Sequence, residues 1–561
     1  MGIKTLSILV AVTLLPSTGW TEGLPQPSDP QLLTFQEIRE LYQDENPPRA
    51  LQEKLEKLLT TPFVRNTASD FGVVPLKPYV PGLGRTLRVA QWNIERGLEF
   101  DAVRFAFSDP RRFNALMEDK GSKADAEQRE KIREQISILE QADVLVLNEV
   151  DWGVNRTLFR NVAAELANDL DMNYAYGVEF VEVDPLTMGL DQQIVAREVE
   201  EAYKDPHDDH AAMLAHVKAI MTPDPERYHG LHGTAILSRY RLENVRVIPF
   251  LVQGHDWYKD EKKISIAAKA EGKVSTAVFK EQLMRQVRRG GRMMMTADLV
   301  DPALPSGRVT VVATHLEDVA SPRKRRKQLD EILAWIARIH HPVILAGDMN
   351  TSTHTGVPIS VTQALKQRFG SGKWWVEEGA TSALKYTTPL GWAYDLSLGL
   401  IGFTRKVEDP TATSIPLIGD NPEAKFFHTL ENFRFDDGSA FDFRGDAEHS
   451  ANGRGGKLAN SNERSAKGFE ATEELERRFG PVGEYKLDWI FVRPAYLTSP
   501  DARQWSAFSC YYGRTLKALN HAIPGRISDH DPITVDLPLG NPASEATAGL
   551  RSRGVRESPL N

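Results

Sequence analysis

The sequence predicts an α+β protein whose sheets gather polar side chains at one end of their strands. Short apolar runs recur along the chain, and several carry Asp, Asn, Glu or His at or beside one end. Amphipathic stretches lie between them, such as residues 125–141 with Ile132, Ile136 and Leu139 on one helical face. The clearest run is Val343-Ile344-Leu345-Ala346-Gly347-Asp348-Met349-Asn350. Its apolar half reads as a strand buried on both faces. Asp348 and Asn350, two positions apart on a strand, are expected to share one face. Gly347 lets another group come close to the backbone.

The 561 residues are 41% hydrophobic and 26% charged, ordinary values for a soluble globular protein. A net charge of −9 argues against a general nucleic-acid-coating surface and leaves a local basic site open. Residues 1–19 have the layout of a secretory signal: Lys4, an apolar run from Leu6 to Leu15, then small residues Ser17-Thr18-Gly19. That run is too short to span a membrane, and no later stretch is long and apolar enough to do so. The single cysteine, Cys510, cannot form an intrachain disulfide. An exported protein without disulfides suits a bacterial periplasm or exterior. A secreted or periplasmic monomer without a transmembrane segment is expected.

In chain order, Pro25 to Pro30 is a linker, and residues 32–60 are helical in two pieces split at Pro47-Pro48. Leu51, Leu55, Leu58 and Leu59 recur at helical spacing, which suits an appended segment within 20–85 that packs on the main domain. Residues 87–94 alternate like a half-buried strand with Asn93 near its end, and 143–150 is a buried strand carrying Glu149. Residues 157–170 read as a helix. Strands follow at 232–238 and at 308–315, the latter ending on His315. Pro322 opens the next helix, a position that suits its fixed φ. After 343–350 the chain from 370 to 480 shows little regular pattern. Residues 486–492 form a strand carrying Asp488, and Ser528-Asp529-His530-Asp531-Pro532 precedes a last strand at 533–537. Residues 539–561 read as a disordered tail.

The residues collected at strand ends are Asn93, Glu149, His315, Asp348, Asn350, Asp488, Asp529 and His530. A sheet that brings those ends together makes a polar cleft over an apolar floor. Carboxylate and carboxamide oxygens suit Mg²⁺, Mn²⁺ or Ca²⁺ rather than zinc. Two histidines can handle protons near neutral pH. Asp488 could hold one imidazole in a fixed tautomer. Such a set is suited to attack of water on a phosphate ester, with cationic groups offsetting charge on the phosphorus oxygens.

The ordered motifs Trp-Asn-Ile, Asn-Glu-Val, Gly-Thr-Ala-Ile-Leu-Ser, Ala-Thr-His-Leu, Gly-Asp-Met-Asn, Leu-Asp-Trp-Ile and Ser-Asp-His-Asp-Pro resemble the endonuclease/exonuclease/phosphatase superfamily over residues 86–538. The resemblance implies the deoxyribonuclease-I-like fold, a four-layer α/β/β/α sandwich of two mixed, largely antiparallel sheets flanked by helices. It implies that Asn93 and Glu149 hold an essential Mg²⁺, with Asp529 nearby, and that Asp348 and Asn350 orient the attacking water and the phosphate. It pairs His530 with Asp488, places His315 against the phosphate or leaving group, and sets His232 and Gly233 beside the substrate groove. Which histidine is base and which is acid stays open. The 86–538 span is about twice the roughly 200–250 residues of a large single sandwich domain. The excess falls at about 184–230, 255–291 and 370–480, where substrate choice is expected to be written.

The expected substrate is a phosphate ester: nucleic acid, a phospholipid headgroup, or a small ester. A nuclease would want a basic groove with stacking positions. A sphingomyelinase-like or phosphoinositide-directed enzyme is the alternative, favoured by the Ala-Thr-His-Leu form. The rival of another class is a binding module that has kept the sandwich and lost catalysis. His207, His210, His216 and His229 fit no recognised metal motif, and Asp436 to Asp446 reads as a solvated loop rather than a calcium loop. Arg323 to Lys327 reads as a solvated helix face.

Overall fold

The computed structural model describes residues 29–185, 187–190, 224–263, 286–351, 423–465, 468–474, 484–500 and 506–541. The stretch read as a signal, most of the stretch read as a tail, and large parts of all three expected insertions lie outside the described residues.

The strands, numbered in chain order, form two large sheets. One runs β1 (Phe63–Arg65), β5 (Asn173–Glu182), β6 (Leu231–Ser238), β4 (Val144–Trp152), β3 (Gly84–Arg96), β18 (Ile533–Pro538), β17 (Tyr511–Thr515). β2 (Tyr79–Val80) pairs with β3, and β8 (Arg288–Gly290) with β5. The other runs β16 (Asp488–Arg493), β11 (Val343–Asp348), β10 (Arg308–His315), β9 (Met293–Val300), β7 (Arg241–Pro249). Within these sheets β3–β4 and β10–β11 pair parallel and the other pairs antiparallel. Two short hairpins, β12 (Arg464–Ser465) with β13 (Gly468–Phe469) and β14 (Glu473–Glu474) with β15 (Glu484–Tyr485), complete the set.

Alternation along the strands decides which layer each side chain joins. Ile344 and Ala346 of β11 meet Val309, Val311 and Ala313 of β10, Leu87 and Val89 of β3, and Val144 and Val146 of β4 in a core between the sheets. Val343 and Leu345 point the other way, onto Leu329, Ile332, Leu333 and Ile336 of the helix Pro322–Ile336. The outer face of the first sheet packs on the helices Phe100–Ser108, Ala126–Glu140 and Val162–Asp169. The architecture is therefore α/β/β/α in four layers, with a mixed sheet on each side of the central core.

Several elements differ from the sequence reading. β3 is buried along almost its whole length rather than on one face, because helices cover the side that would otherwise meet water. The strands β5, β7 and β9 and the helices Phe100–Ser108 and Pro110–Asp119 were not anticipated. β11 ends at Asp348, and Asn350 has a left-handed φ of 46°, so strand alternation does not carry through to it. Arg325, read as part of a solvated run, is fully buried and donates to the Glu423 carboxylate at 2.5 Å. Asp442 of the acidic loop is also buried, bonded to Arg444.

The N-terminal helices Phe35–Gln43 and Arg49–Thr60 bury Ile38, Leu41, Leu51 and Leu58 in the outer core of the first sheet. Arg289 of β8 closes the end of the first helix. Its guanidinium lies 3.4 Å over the Tyr258 ring and donates to the carbonyls of Leu41 at 2.8 Å and Asp44 at 2.6 Å. Such C-terminal carbonyls have no partner within their own helix. No helix of the described residues is long and apolar enough to cross a membrane.

Leu345→Ala removes a fully buried side chain from the outer core and should cost about 2–5 kcal/mol of stability, read by urea denaturation. A cost below about 1 kcal/mol would contradict the placement of β11 as an interior strand, covered on its outer face by the helix Pro322–Ile336.

Candidate active site

The parity that builds the central core continues past it and changes chemistry. On β11 the series Ile344, Ala346 ends in Asp348; on β10, Val311 and Ala313 end in His315. β16 runs antiparallel to β11, so Asp488, at its start, lies opposite Asp348. On β3 the same side passes from Val89 through Gln91 to Asn93, and on β4 from Val144 and Val146 to Asn148. One rim of the two-sheet interface thus receives polar groups from both sheets. Gly347 is required there: with φ of 150°, a Cβ at this position would meet the Thr314 carbonyl oxygen at 1.8 Å.

Asp348 is the hub. Its backbone N–H donates to Asn148 Oδ1 at 2.9 Å, and its Oδ1 accepts the Asn350 N–H at 2.9 Å. Oδ2 accepts from Asn93 Nδ2 at 3.2 Å and lies 3.4 Å from His315 Nε2 and 3.7 Å from His530 Nε2. Burial pushes the Asp348 carboxyl up to about 7, against the opposing pull of His530. Asn350 donates its Nδ2 to the Leu316 carbonyl at 3.0 Å.

His530 Nδ1 bonds Asp488 Oδ2 at 2.7 Å. Burial would push this imidazole down, but Asp488 and Asp348 together raise it well above its ordinary value. Asp488 feels burial too, yet His530 holds it below the usual carboxylate range. Gln91 Nε2 donates to Asp488 Oδ1 at 2.8 Å, joining one sheet to the other. The loop bearing His530 is tied to β3: Ser528 Oγ donates to the Asn93 carbonyl at 2.6 Å and Trp92 Nε1 to the His530 carbonyl at 2.8 Å.

Glu149 sits on a bulge. The register of β4 slips on both neighbours there, and Glu149 itself has a left-handed φ of 53°. The bulge re-aims the side chain toward Asn93, whose Nδ2 lies 3.4 Å from Glu149 Oε1. Burial raises Glu149, but Arg96 and neighbouring cations outweigh it and hold the carboxyl low. Asp529 is raised by burial, and by the charge of Glu149 after the opposing effect of His530. The Glu149 charge opposes ionisation of Asp529, an opposition that a divalent cation would relieve, and the Asn93 amide lies beside Glu149, so these residues fit an oxygen-liganded ion. Separately, Asp348, Asp488 and His530 bring ligand-type atoms within 4.8 Å of one another. The His530–Asp488 hydrogen bond already uses that proximity.

His315 and His232 are buried and both held well below the ordinary imidazole range, by burial first and then by nearby arginines. His315 Nδ1 lies 2.7 Å from Arg292 Nη1. His232 Nδ1 lies 2.9 Å from Asp151 Oδ1, and Asp151 in turn binds Arg156. No direct contact between His232 and Asp348 joins it to the hub; it lines the adjoining β6 at the position paired with Asp151 and Phe180.

Sequence reasoning passed over Asn148, Gln91 and Arg292. Asn148 and Gln91 were legible, since each continues the apolar parity of its strand by one step. Arg292 follows Gly290-Gly291 and precedes β9 with no periodic signal of its own.

Two facing mixed sheets between helical layers, with this polar rim, define a deoxyribonuclease-I-like sandwich. Residues 90–530 match the model of the Endonuclease/Exonuclease/phosphatase family, and the chain belongs to that family. A comparison with curated proteins finds no match. Among solved structures, the chain is similar to an endonuclease/exonuclease/phosphatase from Beutenbergia cavernae, at 18% identity over 82% of this chain and 72% of that one, with a TM-score of 0.32. It is similar to a 3′-5′ exonuclease from Neisseria meningitidis at 12% identity, over 80% and 99% of the two chains, with a TM-score of 0.32. A mannosyl-6-phosphatase from Bacteroides thetaiotaomicron gives 11% identity over 80% and 99%, with a TM-score of 0.31.

Asp488→Asn should drop His530 to or below the ordinary imidazole value, because burial then acts without its main counter-charge. Histidine-selective NMR titration checks this. The sign for stability follows: a raised histidine stabilises fully below its unfolded pKa and loses that contribution as pH rises through the folded value. The wild type should therefore lose stability on the alkaline side of neutrality in a way the variant does not. An unmoved His530 titration would contradict the pairing.

Proposed function

We propose that the protein is an exported, divalent-metal-dependent phosphoesterase that hydrolyses a phosphodiester or phosphomonoester by attack of water. The observation that carries this reading is the meeting of Asn93, His315 and His530 on one carboxylate oxygen, Asp348 Oδ2. Amide, imidazole and carboxylate from both sheets face one small volume there.

In this reading Asn93, Glu149 and Asp529 hold Mg²⁺, with Mn²⁺ or Ca²⁺ as substitutes. The ion supplies Lewis-acid stabilisation of charge on a phosphoryl oxygen. Asp348, once ionised, accepts a hydrogen bond from the attacking water and orients it. Asn350 helps to fix the Asp348 carboxylate through its backbone N–H. His530, kept protonated by Asp488, presents Nε2–H and positive charge to the phosphoryl group. His232 stands beside the groove as a substrate-side group. Export rests on the layout of residues 1–19.

His315→Ala and Asp348→Ala should each lower kcat on bis-p-nitrophenyl phosphate by at least about 10²-fold, with far-UV circular dichroism unchanged. Full activity in both folded variants would remove the assignment. EDTA should stop turnover, and Mg²⁺ or Mn²⁺ should restore it; activity indifferent to chelation would exclude the ion.

A further inference from the structure

The two histidines that face Asp348 have opposite partners. His530 Nδ1 meets a carboxylate, an acceptor, so that nitrogen carries a proton. His315 Nδ1 lies 2.7 Å from Arg292 Nη1. A guanidinium has five N–H groups, no lone pair to offer, and cannot be deprotonated in a protein. Nδ1 of His315 must therefore be the acceptor, and the proton of the neutral ring lies on Nε2. That nitrogen is the one 3.4 Å from Asp348 Oδ2. An imidazolium at this position would set an N–H against an N–H.

Arg292 is held so that it cannot turn away. Its side chain is 4% exposed, and the same Nη1 donates to Glu179 Oε2 at 2.7 Å. Glu179 is itself fixed by the Thr234 hydroxyl, which donates to Oε1 at 2.6 Å. Glu317 and Asp318 flank the guanidinium at 3.9 and 3.7 Å, and it lies 5.3 Å from the Phe180 ring centroid. These acidic partners keep a cation at the site, and the cation dictates the tautomer of the neighbouring ring.

We propose that Arg292 is a positioning residue that locks His315 as a neutral imidazole with Nε2–H turned into the cleft. His315 then acts on the phosphoryl group as a hydrogen-bond donor of fixed polarity, and proton transfer falls to other groups. The tautomer stands on the geometry alone; its use on a phosphoryl oxygen rests on the function proposed above.

Long-range ¹H–¹⁵N correlation on the full chain with labelled imidazoles tests the lock, with His315 assigned through its loss in His315→Gln. Wild type should show His315 protonated at Nε2 and bare at Nδ1. A proton on Nδ1, in either the other tautomer or the imidazolium, would overturn the proposal. Arg292→Lys keeps an obligate donor and should retain both the tautomer and a kcat within about tenfold. Arg292→Gln, whose amide can turn and accept, should populate Nδ1–H and lower kcat about 10²-fold. A Gln variant that loses kcat while its tautomer stays unchanged would count against the proposed link. The wild-type spectrum needs no turnover, so an inactive protein with the expected spectrum would sink the phosphoesterase reading and leave the lock standing.

Discussion

Everything at the rim depends on the face-to-face packing of two sheets along a single strand parity. Val311, Ala313, Ile344 and Ala346 meet Val89, Val144 and Val146 across the central core. The next residue on that parity is polar on strand after strand. A one-residue slip in any of these strands would move its rim side chain to the helical side of its sheet. Packing of ordinary aliphatic residues is thus what aims His315, Asp348, Asp488 and Asn93 at one another.

Buried polar ties make the two sheets agree at the rim. Asn148 reaches across from β4, with Nδ2 on the Thr314 carbonyl at 3.1 Å and Oδ1 on the Asp348 N–H at 2.9 Å. Gln91 does the same from β3 to Asp488. Satisfied bonds of this kind contribute modestly each, but leaving one partner unpaired in the core costs about 1–3 kcal/mol. They also specify one alignment of the sheets, which greasy packing alone leaves loose. Backbone strain gathers at the same rim: Glu95, Arg96, Glu149 and Asn350 all have left-handed φ. Such conformations persist where surrounding structure enforces them, and here they turn side chains toward the site.

Much of this was legible because strands that end in a carboxylate or imidazole announce themselves. Asp348, His315, Glu149 and Asp488 all lie on long apolar runs. β5 and β9 were not legible: Asn173, Gly177 and Glu179 weaken the first, and the second opens on Met293-Met294-Met295, outside the β-branched and aromatic types enriched in strands. The bulge at Glu149 could not be read either, because it needs the registers of three strands at once. Arg292 is the instructive miss. Its partners Glu179, Phe180 and His315 are distant in sequence, so nothing local marks it as different from Arg289, which instead closes an N-terminal helix.

In the proposed function Glu149, Asn93 and Asp529 together hold one divalent cation beside Asp348. Anomalous diffraction from Mn²⁺-soaked crystals tests it most directly. A peak should stand within liganding distance of Glu149, with Asn93 and Asp529 around it. A peak held by Asp488 and His530 with none at Glu149, or no peak at all, would contradict it.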